Sequence, residues 1–282
     1  MLVNLQEILD IAEQENYGIA AFNVPTFENL AAAIKVSEKY NKPIIIQHAQ
    51  VHEDAMPLEL IGPAMVALAK QASTPICVHL DHGEDINHIE KALKLGFTSV
   101  MIDGSSLPFE ENVKITKEGV ELAKQYNAGV EAEIGMMGGD EGSKEGASDF
   151  SEEFYTDPQE AGEFVKATGI TGLAASFGTV HGFYASEPKL DYDRLEEIAK
   201  ETQLPIVMHG GSGLTEAEYK KVIELGVRKI NYYSYSAKTG LDAAINTINT
   251  KNPQLYHEVV VDVIDAITED YSKIIEIFYN VN

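Results

Sequence analysis

Short apolar runs alternate along the chain with longer stretches whose apolar residues recur at helical spacing. The short runs lie at 19–22, 43–47, 75–80, 99–103, 129–134, 172–176, 205–209 and 229–232, and they predict strands. Helical periodicity covers 29–40, 58–71, 85–95, 109–125, 191–201 and 215–225. Several runs, such as Pro43-Ile44-Ile45-Ile46-Gln47, are apolar almost without interruption, as parallel strands buried on both faces are.

Eight such repeats predict an α/β fold of the (β/α)8 TIM-barrel type, with extra terminal helices that include the acidic stretch after Asn252. An open doubly wound sheet shares the same local pattern, and the count favours the barrel. No Pro/Ser-rich linker divides residues 1–282, so a single catalytic domain is expected. In either fold, chemistry gathers where strands end and loops lead into helices.

Three histidines stand at or just beyond strand ends, each followed by glycine: His82-Gly83, His181-Gly182 and His209-Gly210. Taken singly, each is an ordinary structural residue. Three on one barrel mouth can converge, and neutral imidazoles suit Zn²⁺ with one position left open. Carboxylates collect in the same places. Asp81 adjoins His82, Asp103 closes the fourth run, and Glu131 and Glu133 are two apart on the fifth, so they share a face. A Gly-rich polar segment, 138–146, reads as a mobile lid or as a plain surface loop. The Gly210-Gly211-Ser212-Gly213 turn precedes a helix, where backbone N–H groups can cradle an anion.

Charge narrows the partners. The 282 residues hold 21 Lys+Arg and 45 Asp+Glu, a formal charge of −24, which argues against a broad grip on nucleic acid or an anionic membrane. The single cysteine, Cys77, excludes an internal disulfide framework and a Cys-rich zinc module. There is no bilayer-length apolar run and no secretory leader pattern, and a soluble, cytoplasmic protein is expected.

The order and spacing of these segments resemble the zinc-dependent class II fructose-bisphosphate/tagatose-bisphosphate aldolases. The likeness runs through Ala21-Phe22-Asn23-Val24, His79-Leu80-Asp81-His82-Gly83, Glu131-Ala132-Glu133-Ile134-Gly135, Gly178-Thr179-Val180-His181-Gly182, His209-Gly210-Gly211-Ser212-Gly213 and Lys229-Ile230-Asn231. The resemblance implies a zinc site made by His82, His181 and His209, with Glu133 and Asp103 as alternative-position ligands. Asp81 would exchange the proton of the C4 hydroxyl, and Glu141, on the lid, would move the proton at the triose carbon. Asn23, Gln47, Gly182, Gly211, Ser212, Asn231 and Ser234 would contact substrate. A monovalent cation (Na⁺ or K⁺) and a homodimer or homotetramer are also implied. The expected reaction is reversible cleavage of fructose or tagatose 1,6-bisphosphate to two triose phosphates through a zinc-stabilised enediolate.

Three positions depart from the family pattern. Ala185 replaces a lysine in the stretch after His181, Ala49 replaces a serine after Gln47-His48, and Tyr233 is bulkier than its usual counterpart. Drift within a bisphosphate aldolase is one explanation, and an altered substrate is the other. A non-catalytic partner subunit is disfavoured by the intact set Asp81, His82, His181, His209 and Glu141, and a zinc isomerase would not need both the lid glutamate and the GGSG turn.

Overall fold

A computed structural model describes residues 1–136, 138 and 154–281. Its strands are β1 (Leu2–Val3), β2 (Ile19–Asn23), β3 (Ile44–Ala49), β4 (Ile76–Gly83), β5 (Ser99–Ile102), β6 (Gly129–Ile134), β7 (Gly172–Ala175), β8 (Ile206–Met208) and β9 (Val227–Tyr232). All pairings between them are parallel, in the order β4-β3-β2-β9-β8-β7-β6-β5, and β4 pairs with β5 to close the ring. The eight predicted runs therefore form a closed eight-stranded barrel, and the open-sheet alternative falls away. The short β1 extends the sheet below β5 by pairing with Ile76 and Cys77 at the start of β4.

Each barrel strand is followed by a helix. These are α2 (Phe27–Tyr40), α3 (Leu58–Gln71), α4 (Ile86–Leu95), α5 (Phe109–Lys124), α6 (Pro158–Thr168), α7 (Tyr192–Thr202), α8 (Glu216–Glu224) and α9 (Ser234–Lys251). The extra terminal helices are α1 (Leu5–Glu15) and α10 (Tyr256–Phe278). Hydrophobic spacing did not predict α6, because its buried face uses small or polar residues, Ala161, Gly162 and Thr168, with Phe164 as its one large apolar side chain. Its signal is capping. The Asp157 side chain accepts from the N–H groups of Gln159 and Glu160, Pro158 fits the first turn, and Gly169 ends the helix at φ 69°. No helix among the described residues is long and apolar enough to cross a membrane.

Strand alternation separates two environments. Phe22 turns outward and stacks on Tyr271 of α10, with ring centroids 3.8 Å apart. Its neighbour Asn23 turns inward and donates to Asp81. The inner side of the barrel toward the strand ends thus holds buried polar residues, including Asn23, Gln47, Asp81, Glu131, Glu133, Lys229 and Asn231. The apolar core lies between strands and helices. Tyr271 is fully buried, and its hydroxyl lies 3.3 Å from the Asn29 side-chain amide of α2. We expect Tyr271→Ala to lower unfolding free energy by about 3–5 kcal/mol, as other large buried aromatics do, and Tyr271→Phe by about 1 kcal/mol. Denaturant titration followed by circular dichroism measures both, and near-equal losses would contradict this packing.

Candidate active site

His82 is the penultimate residue of β4, at a register shift against β5 between Leu80 and Gly83. Its φ is +46°, in the left-handed region that non-glycine residues seldom occupy. Gly83 beside it sits so close to β5 that an added Cβ would lie 2.6 Å from the Met101 carbonyl oxygen. His209 directly follows β8. His181 lies in the loop after β7, where its N–H donates to the Gly138 carbonyl at 2.8 Å. The three rings meet, with centroids 4.7 to 5.6 Å apart. One nitrogen from each lies within 4.8 Å of the others.

The carboxylates behind these rings set their tautomers. His82 Nδ1 lies 2.7 Å from Asp103 Oδ2, and His209 Nε2 lies 2.8 Å from Glu131 Oε1. If each carboxylate accepts an N–H, the other nitrogen of each neutral ring carries a lone pair. Those two nitrogens, His82 Nε2 and His209 Nδ1, face each other at 3.0 Å. Two lone pairs at that distance repel unless a proton or a cation lies between them. A tetrahedral ion with bonds of about 2.0–2.1 Å would need its ligand nitrogens about 3.3 Å apart, close to this spacing. His181 Nε2 is buried without a hydrogen-bond partner. Burial, reinforced by charge on His82 and His209, holds the His181 imidazole well below its usual range, so it stays neutral as a ligand must.

Glu133 adds an independent sign. Its carboxyl is pushed up to about 8, first by burial and then by Asp103, and its Oε2 has no hydrogen-bond partner. A cation beside it would offset that repulsion. Together with His82 and Asp103 it forms a second group able to hold a metal, adjoining the three-histidine group. The donor sets fit a divalent ion with imidazole ligands and carboxylates behind them.

Asp81 is fully buried beside His82. Its Oδ2 accepts from the side-chain amides of Asn23 and Gln47, both at 2.9 Å, and its Oδ1 accepts from Asn231 at 3.3 Å. Burial alone would push the carboxyl up, but positive neighbours, His82 and Lys229 foremost, hold it well below the usual carboxylate range. Gln47 Oε1 and Asn231 Oδ1 are buried acceptors without partners, suited to hydroxyl groups. Expected to touch substrate, Asn23, Gln47 and Asn231 are here also the groups that fix Asp81.

Gly182, Ser212, Asn231 and Ser234 line a narrow cleft with His181, Gly210 and Tyr233. The turn after β8 bends through Gly210 at φ 61° and Gly213 at φ 92°, and a Cβ at Gly210 would lie 2.2 Å from the Val180 carbonyl oxygen. Ser212 Oγ accepts the Tyr233 N–H at 2.8 Å, tying this turn to the end of β9. The carbonyl of Gly211, which the resemblance associates with phosphate or a monovalent cation, accepts the Tyr219 hydroxyl. Glu141 lies outside the described residues, as does most of 138–146.

A buried ion pair, Lys229 with Glu131, also belongs to this setting. Lys229 is fully buried, with Nζ 2.8 Å from Glu131 Oε2 in an ion pair whose orientation falls short of a hydrogen bond. Burial pushes the Glu131 carboxyl up, but Lys229 and His209 outweigh it and bring it down to about 2. The available signal was charge inside two strands of the buried sheet, Glu131 and Glu133 in β6 and Arg228 and Lys229 in β9.

The chain matches the model of the family described as Fructose-bisphosphate aldolase class-II over residues 3–282, and it belongs to that family. Among solved structures it is similar to the YdjI aldolase of Escherichia coli K12, at 32% identity and TM-score 0.86, covering 99% of this chain and 97% of that one. It is also similar to a putative fructose-1,6-bisphosphate aldolase of Coccidioides immitis, at 29% identity and TM-score 0.85, covering 98% and 96%. The fold is shared with the fructose-bisphosphate aldolase of Campylobacter jejuni at 21% identity and TM-score 0.82, covering 98% and 95%. Family membership makes the chain an aldehyde-lyase, and the lyase class accords with three imidazoles and an acid at one barrel mouth.

Loss of an outer carboxylate that orients a metal-bound histidine commonly costs about 10–100-fold in metal affinity. We therefore expect Asp103→Ala to weaken Zn²⁺ binding by that factor and His181→Ala to weaken it further, both read by competition with a chromophoric chelator. Unchanged affinity in both variants would place the ion elsewhere.

Proposed function

We propose that residues 1–282 act as one metal-dependent catalytic unit that reversibly cleaves the C3–C4 bond of a ketose carrying phosphate on C1, releasing dihydroxyacetone phosphate and an aldehyde. The observation that carries this reading is Asp81, an ionised buried carboxylate fixed by three amides next to His82. His82, His181 and His209 would hold the ion, zinc on the family resemblance, with Asp103 and Glu133 beside it. When bound, that ion supplies an electrophile for the negative charge that cleavage leaves on the triose fragment.

The chain's own groups account for the remaining steps. Asp81 accepts the C4 hydroxyl proton, the oxygen's electron pair closes the new carbonyl, and the C3–C4 pair remains on the triose carbon. Glu141, assigned by resemblance, returns a proton to that carbon, and condensation runs the same steps backwards. The N–H groups of the Gly210–Gly213 turn, with Gly182, Ser212 and Ser234, cradle the C1 phosphate. Asn231 and Gln47 receive sugar hydroxyls through their unpartnered oxygens. A monovalent cation (Na⁺ or K⁺) in the phosphate cradle is part of the same reading.

By itself the family resemblance makes the ketose fructose or tagatose 1,6-bisphosphate and the aldehyde glyceraldehyde 3-phosphate. Ala49, Ala185 and Tyr233 favour a second reading, an aldolase with an altered far end to its substrate. The setting is cytoplasmic carbohydrate metabolism. A homodimer or homotetramer is supported by the exposed apolar stripe Leu241, Ile245 and Ile248 on α9.

We expect Asp81→Asn to lower kcat for dihydroxyacetone phosphate condensation by about 10²–10⁴-fold while Zn²⁺ affinity stays within a few-fold of wild type. Exhaustive chelation should abolish turnover and added zinc should restore it. Full turnover after chelation, together with borohydride trapping of a lysine adduct, would instead establish Schiff-base chemistry.

A further inference from the structure

The cradle accounts for one phosphate, and the charge around the barrel mouth bears on whether there is a second. Among the described residues, the loops that follow the barrel strands carry one lysine or arginine, Lys189; Lys144, in the chain between β6 and α6, lies outside them. It is exposed and stands in the β7–α7 loop, the same loop that supplies Gly182 to the cradle. The loops after β2, β3, β4, β5, β8 and β9 carry no lysine or arginine, while Glu53, Asp54, Glu84, Asp85 and Asp103 stand in them.

Tyr233 closes one side of the cradle and also borders a groove of about 440 Å³ that runs outward past Thr26, His52 and Ala55 toward α9 and α10. The His52 ring packs edge-on to Tyr233, with centroids 4.9 Å apart. Glu28 is the one carboxylate in the groove lining, which holds no lysine or arginine, and apart from His52 the rest is apolar or neutral polar. Burial, with His48 beside it, pushes the His52 imidazole down to about 4, so the ring adds no positive charge near neutral pH. Where β3 ends, Ala49 offers no side-chain donor and His48 Nε2 is engaged by the Met56 carbonyl at 2.8 Å.

A phosphate monoester carries about −1.5 to −2 charges near pH 7 and is held by cations or by several charge-assisted N–H bonds. A second one, leaving the cradle toward this sector, would meet neutral groups and carboxylates in a chain of net charge −24. Hydroxyl groups meet no such penalty there.

We propose that the substrate is phosphorylated on C1 alone, and that its far end, a neutral polyhydroxylated chain, lies in the sector of the mouth bounded by Thr26, His52, Ala55 and Tyr233. This rests on the aldolase reading above and narrows it from ketose bisphosphates to ketose 1-phosphates. The aldehyde released is then an unphosphorylated sugar fragment.

The test is condensation by the zinc-loaded protein, following consumption of dihydroxyacetone phosphate with paired acceptors: glyceraldehyde against glyceraldehyde 3-phosphate, and erythrose against erythrose 4-phosphate. We expect kcat/KM at least tenfold higher for the neutral member of each pair. Equal or better use of the phosphorylated member would overturn the proposal while leaving the aldolase reading intact. Absence of consumption with every acceptor would overturn the aldolase reading itself, and this inference with it. Ala55→Lys, an exposed position on the groove, tests the location. It should shift the ratio toward the phosphorylated acceptor by at least fivefold, and an unmoved ratio would show that the far end lies elsewhere.

Discussion

Two imidazole nitrogens 3.0 Å apart, each with its opposite nitrogen beside a carboxylate, form the contact on which the site depends. Neutral rings oriented this way cannot rest against each other without positive charge between them. The same need recurs one layer deeper, where Glu133 is buried among Asp103, Glu131 and Asp81 and its carboxyl is pushed up to about 8. Imidazole lone pairs on one side and crowded carboxylates on the other ask for one thing, a cation at the mouth. The barrel supplies the rigidity to hold both demands in register, because these groups sit on β4 and β6, directly after β5 and β8, or in the loop that follows β7.

Beneath the three histidines, polar groups are matched rather than excluded. Lys229 offsets Glu131, Glu131 orients His209, and three amides surround Asp81. Buried charges tolerate such positions when paired, and removing one member leaves its partner exposed to a large desolvation penalty. The site therefore depends on Lys229 and Glu131 as well as on the groups proposed to meet substrate. Glu131 and Lys229 share with the three histidines a requirement for strand registration, since Glu131 pairs with Gly172 on β7 and Lys229 with Val207 on β8.

Much of the architecture was legible in the chain because parallel strands covered on both faces leave long apolar runs, and all eight barrel strands overlap such runs. The shared face of Glu131 and Glu133 followed from strand period alone, and both are buried. What stayed hidden has a common cause. The amides of Asn23, Gln47 and Asn231 meet on Asp81 only through the register of four strands, which local pattern does not encode. The α6 helix hides its face behind small residues, and its capping by Asp157 is a weaker sequence signal than a stripe of leucines. His181 was legible as a candidate, but the bond that holds it, from its N–H to the Gly138 carbonyl in the loop past β7, was not.

The backbone at residue 82 pulls against the side chain it carries. At φ +46° the chain would be more comfortable with glycine or asparagine, since a Cβ is crowded in the left-handed region. Histidine stays there at the expense of fold stability, and under the proposed function what it brings in return is a ligand for the ion. Selection of variants for heat resistance alone would drift toward smaller residues at this spot and quietly erase the enzyme. Thermal robustness and lyase activity are thus opposed at a single torsion angle, and screens of this barrel need both readouts at once.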